Sequence, residues 1–124
     1  MDTDPRHALG HKGEAIAAKY YRQRGYALLD HNFRTRYGEL DLVLYQEGVM
    51  VIAEVKTRSK MGAVAPRESV DRRKRQRLIW AAQIYLQNSP YRDSAVRFDV
   101  VEVIPQGAAW RVRCTPNAFD CDNR

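Results

Sequence analysis

Cysteine is scarce: Cys114 and Cys121 are the only two in 124 residues. Two thiols cannot build a disulfide framework or an all-cysteine zinc site. No apolar run approaches the ~20 residues that a membrane-spanning helix needs, and "MDTDPRHALG" carries no signal peptide. The expectation is a soluble protein of the cytoplasm with no membrane partner. Repeats, low-complexity stretches and linkers are also missing. One domain over residues 1–124 follows, with residues 1–6 and 120–124 expected to fray. Acid is in deficit, at 15 Asp and Glu against 21 Lys and Arg, a net charge of +6. That balance points to a polyanionic partner, nucleic acid or an anionic surface. Hydrophobic residues make up 44%, enough for a core that buries roughly two-thirds of the unfolded surface.

Helical spacing runs from about Pro5 to Arg24, with Leu9, Ile16, Ala17, Tyr20 and Tyr21 recurring at threes and fours. Gly25 is the expected stop. "YALLDHNFR" reads as a strand, "TRYG" as a turn, and residues 40–56, "LDLVLYQEGVMVIAEVK", as a hairpin. A loop, "SKMGAVAP", leads to a second helix from about Ser69 to Asn88. "AVRFDVVEVI" and "AWRVRCT" alternate as two further strands around the turn "PQGA". The order α-β-β-β-α-β-β predicts an α/β fold, a mixed sheet with helices packed on it.

The hairpin holds Asp41, Glu54 and Lys56 where apolar residues would serve a core better. A two- or four-residue turn around Glu47-Gly48 sets Asp41 opposite Glu54, Val43 opposite Ile52 and Tyr45 opposite Met50. Leu40, Leu42, Leu44, Val51, Ala53 and Val55 then share the other face. A slip of one residue would exchange the faces and mix charge with apolar side chains. In the favoured register two carboxylates lie about 5 Å apart and repel by roughly 3 kcal/mol at an effective dielectric of ~20. Lys56, two residues beyond Glu54, cannot cancel both, and Glu39 opposite Lys56 adds a third acid. A divalent cation would compensate, and oxygen ligands suit Mg2+ or Mn2+. Two bland alternatives stay open, a structural salt-bridge cluster at a sheet end and a protonated carboxyl with a raised pKa.

The segment "RESVDRRKRQR" carries six Lys or Arg residues at the start of the second helix. Positive charge there opposes the helix dipole, so Arg72, Arg73, Lys74 and Arg75 are better explained by phosphate contacts. A merely solvated face is the competing explanation. Arg34, Arg36 and Tyr37 precede Gly38-Glu39 and could grip a nucleic-acid backbone, which positions substrate without reading sequence. Asp99 fits capping or pairing within the sheet. His7 and His11, four apart, lack a third metal ligand. Cys114, Tyr20, Tyr21 and Trp80 read as core.

An acid on one strand followed by acid-x-lysine on the next resembles the PD-(D/E)xK nuclease superfamily, with Asp41 as the first acid and Glu54-Val55-Lys56 as the second motif. More specifically, "GHKGEAIAAKYYRQRGY", "NFRTRYGELDLV", "EVKTR", "RFDVV" and "NAF" resemble the YraN-like family of small bacterial predicted endonucleases. The likeness covers most of residues 10–119. That family is distantly similar to archaeal Holliday junction resolvases. Leu40 stands where the superfamily has a proline before the first acid.

The resemblance implies the restriction-endonuclease-like fold and a metal-dependent nuclease core. It adds Glu14 as a further active-site acid, and Lys74, with Gln76 close behind, as a residue near the site. The chemistry implied is hydrolysis of DNA phosphodiester bonds. Asp41, Glu54, the carbonyl of Val55 and Glu14 would hold Mg2+ or Mn2+. Lys56 would orient or deprotonate the attacking water. DNA is the expected partner, with structure or strand character recognised instead of a base sequence, and the resolvase likeness hints at a homodimer. A non-catalytic nucleic-acid-binding module and an interaction domain with a structural ion cluster are the two alternatives.

Overall fold

A computed structural model describes residues 5–58 and 70–124, with side chains from Gly10 onward. The expected loop "SKMGAVAP", Arg67, the start of the second helix at Ser69, most of the frayed start and the side chain of His7 lie outside the described residues. The order is α1 (Pro5–Arg22), β1 (Ala27–Thr35), β2 (Gly38–Gln46), β3 (Val49–Thr57), α2 (Arg72–Gln87), β4 (Ala95–Gln106) and β5 (Ala109–Phe119). This is the predicted α-β-β-β-α-β-β order. The five strands form one sheet in the order β1-β2-β3-β4-β5, with β3 and β4 parallel and the other pairs antiparallel. The mixed sheet therefore needs a crossover between β3 and β4, and α2 lies in it.

Each face of the sheet carries one helix. Ala17, Ala18 and Tyr21 of α1 pack on Leu42, Leu44, Val51, Ala53, Val101 and Val103. Leu78, Ile79, Ala81 and Ala82 of α2 pack on Val43, Met50, Ile52, Phe98 and Val100. Alternate residues of β3 and β4 thus serve opposite cores, which is why both strands read as continuous apolar runs. Glu47 and Gly48 both have positive φ, 48° and 82°, the geometry of a tight hairpin turn matched to strand twist. Val43 pairs with Ile52 and Tyr45 with Met50, as the favoured register requires. Asp71 caps α2, its side chain accepting from the Lys74 N–H at 2.9 Å. No helix among the described residues is long and apolar enough to cross a membrane.

Three expectations need correction. Leu40 does not share a face with Leu42, because it packs in the α2-side core beside Val43. The two-residue alternation breaks here in both neighbouring strands, and β1 has a further register shift between Leu28 and Asp30. His31 pairs with Leu42 and lines the α1 side, while Phe33 pairs with Leu40 on the α2 side. Between them stand Asn32, at φ 51°, and Asp41. Secondly, Trp80 is 42% exposed, since the buried stripe of α2 runs through Leu78, Ile79, Ala81 and Ala82 and leaves position 80 on the outer flank. Thirdly, residues 120–124 are tied down. The Asp120 carboxylate accepts the N–H groups of Asp122 and Arg124 at 3.0 Å, and the Asn123 amide donates to the Arg72 carbonyl at the start of α2.

Candidate metal centre and nucleic-acid interface

The β2–β3 ladder ends at Leu42 and Ala53. Beyond it β2 stays paired with β1 as far as Gly38, and β3 stays paired with β4 as far as Thr57. The sheet therefore forks, and polar side chains gather in the fork. The Val55 N–H faces the fork and donates to Asp41 Oδ2 at 2.9 Å. Asp41 also hydrogen-bonds Glu54. The two acids thus converge although they are not a ladder pair.

Two groups meet at Asp41. On the α1 side, carboxylate oxygens of Glu14, Glu39 and Asp41 all lie within 4.8 Å of one another. Gly13 sets Glu14 there: a Cβ at residue 13 would strike the Thr57 side chain, so the missing side chain lets α1 close on the end of β3. Asn32, turned by its left-handed backbone, lines the same cleft as Glu14 and favours its charged form. On the α2 side, Glu54 is 6% exposed and pairs with Lys56 Nζ at 3.2 Å and Lys74 Nζ at 2.6 Å.

The electrostatics follow from burial and crowding. Burial, then repulsion from Glu54, pushes the Asp41 carboxyl up to about 8. Burial likewise raises Glu14, against Asn32 and nearby His11. Lys56 is lowered, first by burial and then by neighbouring Lys74. Burial acts against charge on Lys74 too, but Glu54 outweighs it and holds that ammonium above its usual range. An all-oxygen donor set crowded enough to retain a proton suits a hard divalent cation.

Six of the residues singled out by sequence come together here: Glu14, Asp41, Glu54, Val55, Lys56 and Lys74. Val55 meets Asp41 through its N–H, and in an extended strand its carbonyl, the group assigned a ligand role, points to the same side. Glu39 joins the carboxylate trio and faces Arg34 Nε at 3.7 Å, where pairing with Lys56 was one expectation. Arg36 lies over the Tyr37 ring, 4.9 Å from its centroid. Arg72 and Arg73 are exposed and Gln76 is half-buried on the outer side of α2. Arg75 turns inward instead, donating to the Val70 carbonyl at 3.0 Å and lying over Phe119. Arg77 was missed as an individual residue. It lines the cleft of about 320 Å³ shared by Tyr37, Glu39, Arg73 and Lys74, and its place four residues after Arg73 was the available signal. Asp99 stands apart, 1% exposed, bound by Arg97 at 2.9 and 3.0 Å, the Tyr21 hydroxyl at 2.8 Å and the Asn117 N–H at 3.0 Å.

The profile of the uncharacterised protein family UPF0102 matches residues 13–103, a span holding every member of the cluster. Among similar proteins, a UPF0102 protein of Anaeromyxobacter dehalogenans is 42% identical over 99% of this chain and 92% of its own length. One from Syntrophomonas wolfei is 41% identical over 90% of this chain and 96% of its own length. One from Clavibacter michiganensis is 46% identical over 80% and 85%. With the family profile across the fork and relatives matching nearly end to end, this chain belongs to the UPF0102 family.

Proposed function

We propose that the protein is a Mg2+- or Mn2+-dependent endonuclease of PD-(D/E)xK type that hydrolyses DNA phosphodiester bonds, with branched or otherwise irregular DNA as its substrate. One observation carries the proposal. Asp41 joins a carboxylate trio on one side to an acid held between two lysines on the other. Structural ion clusters balance their charges, whereas here burial, then repulsion from Glu54, pushes the Asp41 carboxyl up to about 8 beside two further acids.

Asp41, Glu14, Glu39 and Glu54 are the side chains that would hold the cation. When bound, it supplies Lewis acidity towards a phosphate oxygen and lowers the pKa of a water. Lys56, with its lowered pKa, is suited to take a proton from an attacking water or to orient it. Lys74, kept charged by Glu54, places a positive charge where negative charge grows on the phosphate. Arg34, Arg36 and Tyr37 on one side and Arg72, Arg73 and Arg77 on the other are disposed to hold the backbone across the fork. The resolvase likeness adds a two-fold dimer, which sedimentation of the free protein would test.

One feature favours a second reading. Glu54 is already satisfied by two lysines without any cation, as a non-catalytic DNA-binding module with a structural ion cluster would require. Cleavage separates the two. With Mn2+, nicking is expected on at least one of linear, single-stranded, flapped or four-way DNA. Lys56→Ala and Asp41→Asn should each lower the rate by about 100-fold or more while DNA binding persists. Salt-sensitive binding with no cleavage of any of these substrates under either metal would leave only the binding module.

A further inference from the structure

Among the described residues Trp80 is the only large hydrophobic side chain that is exposed. It is not a stray surface residue. Its ring lies against Tyr37, with centroids 5.1 Å apart and planes at 50°, so the two aromatics form one surface joining α2 to the β1–β2 turn. Arg73 and Arg77 lie seven and three residues earlier on α2, hence on the same helical stripe, and both are exposed. They line two adjoining clefts. One runs past Tyr37 to Glu39 and Lys74, and both of those residues touch the acidic fork. The other continues outward to Gln76 and Trp80. A continuous path therefore leads from the carboxylates, between two guanidinium groups, to an aromatic surface.

The geometry points to a stacking platform: Trp80 and Tyr37 receive an unpaired DNA base next to the phosphate that Arg73 and Arg77 hold. This rests on the nuclease reading of the fork and names what that site selects. A duplex offers this path its phosphates only, because its base faces are covered by neighbouring pairs. A single strand, flap or junction arm with a splayed nucleotide offers phosphate and a free π-face together. Stacking tolerates any base, so selection is by strand character and not by sequence.

The test needs no catalysis. Trp110→Phe leaves Trp80 as the sole tryptophan of the full-length chain. In EDTA at low salt, its emission is followed with oligothymidylate, with an abasic strand of equal length and charge, and with a blunt duplex, each at saturation judged by anisotropy of a labelled strand. Oligothymidylate should quench Trp80, while the abasic strand and the duplex should not. Trp80→Ala should weaken oligothymidylate binding by about tenfold, and Trp80→Phe, which keeps a ring, should retain most of it. Equal quenching by the abasic strand or duplex, no quenching, or no binding would overturn the platform. Because cleavage is not measured, loss of the nuclease reading and loss of the platform are seen separately.

Discussion

Among the described residues, Asp41 is a carboxyl whose hold on its proton changes strongly on folding. Its ordinary carboxyl value is 3.8 and its folded value about 8, so between these the folded chain keeps a proton that the unfolded chain has released. The stability this confers is complete below about pH 4 and is lost as pH rises through about 8. Raised Glu14 acts in the same direction. Melting of the metal-free protein should therefore fall from about pH 5 to about pH 9, and Asp41→Asn should flatten the slope. Saturating Mn2+ should raise Tm most at the alkaline end, where the carboxylates are bare; a metal shift independent of pH would argue against a shared cation. Asp99 makes a contrasting case. Removing its charge would leave Arg97 facing a buried site with no carboxylate, so Asp99→Asn should cost about 3–5 kcal/mol in urea unfolding. Asp41, Glu54 and Lys56 were legible because polar residues in an apolar hairpin stand out at period two. Glu39 was set opposite Lys56 instead of beside Glu14 and Asp41, since its approach to those two depends on the fork.

Among the elements, the hairpin turn was readable from Glu47-Gly48, because positive φ at both positions needs such a pair. The break of alternation at Asn32 and Asp41 was not. Nothing in "DHNFR" or "GELDL" marks this break, which leaves the β1–β2 register unshifted, and Leu40 and Leu42 look alike until each is assigned a core. The approach of α1 to β3 sets Glu14, and it hangs on Gly13. Gly13→Ala should therefore push the helix end off Thr57, costing about 1–3 kcal/mol and lowering Mn2+ affinity through the displaced Glu14. Pairing it with Thr57→Ala, which removes the obstructing hydroxyl, should recover much of both losses in thermal melts and metal titrations. Equal loss in single and double variants would show that the close approach is not what positions Glu14.

For the molecule as a whole, the +6 charge is spread unevenly, with an acidic fork beside the basic outer flank of α2. DNA affinity should fall steeply with salt, and Arg73→Ala with Arg77→Ala should reduce the log–log slope by about two, one per phosphate contact. An unchanged slope would move the backbone path elsewhere. Residue order alone determined the succession of elements, the hairpin register as far as Leu42 and Ala53 and the presence of an acid-x-lysine pair, because hydrophobic periodicity and turn chemistry act over a few neighbours. Only the tertiary structure decided which carboxylates share a centre, that Trp80 faces outward and that Arg75 faces inward. Those outcomes depend on where β2 leaves β3 and on how α1 and α2 approach the fork from opposite faces, distances set by packing between segments remote in sequence.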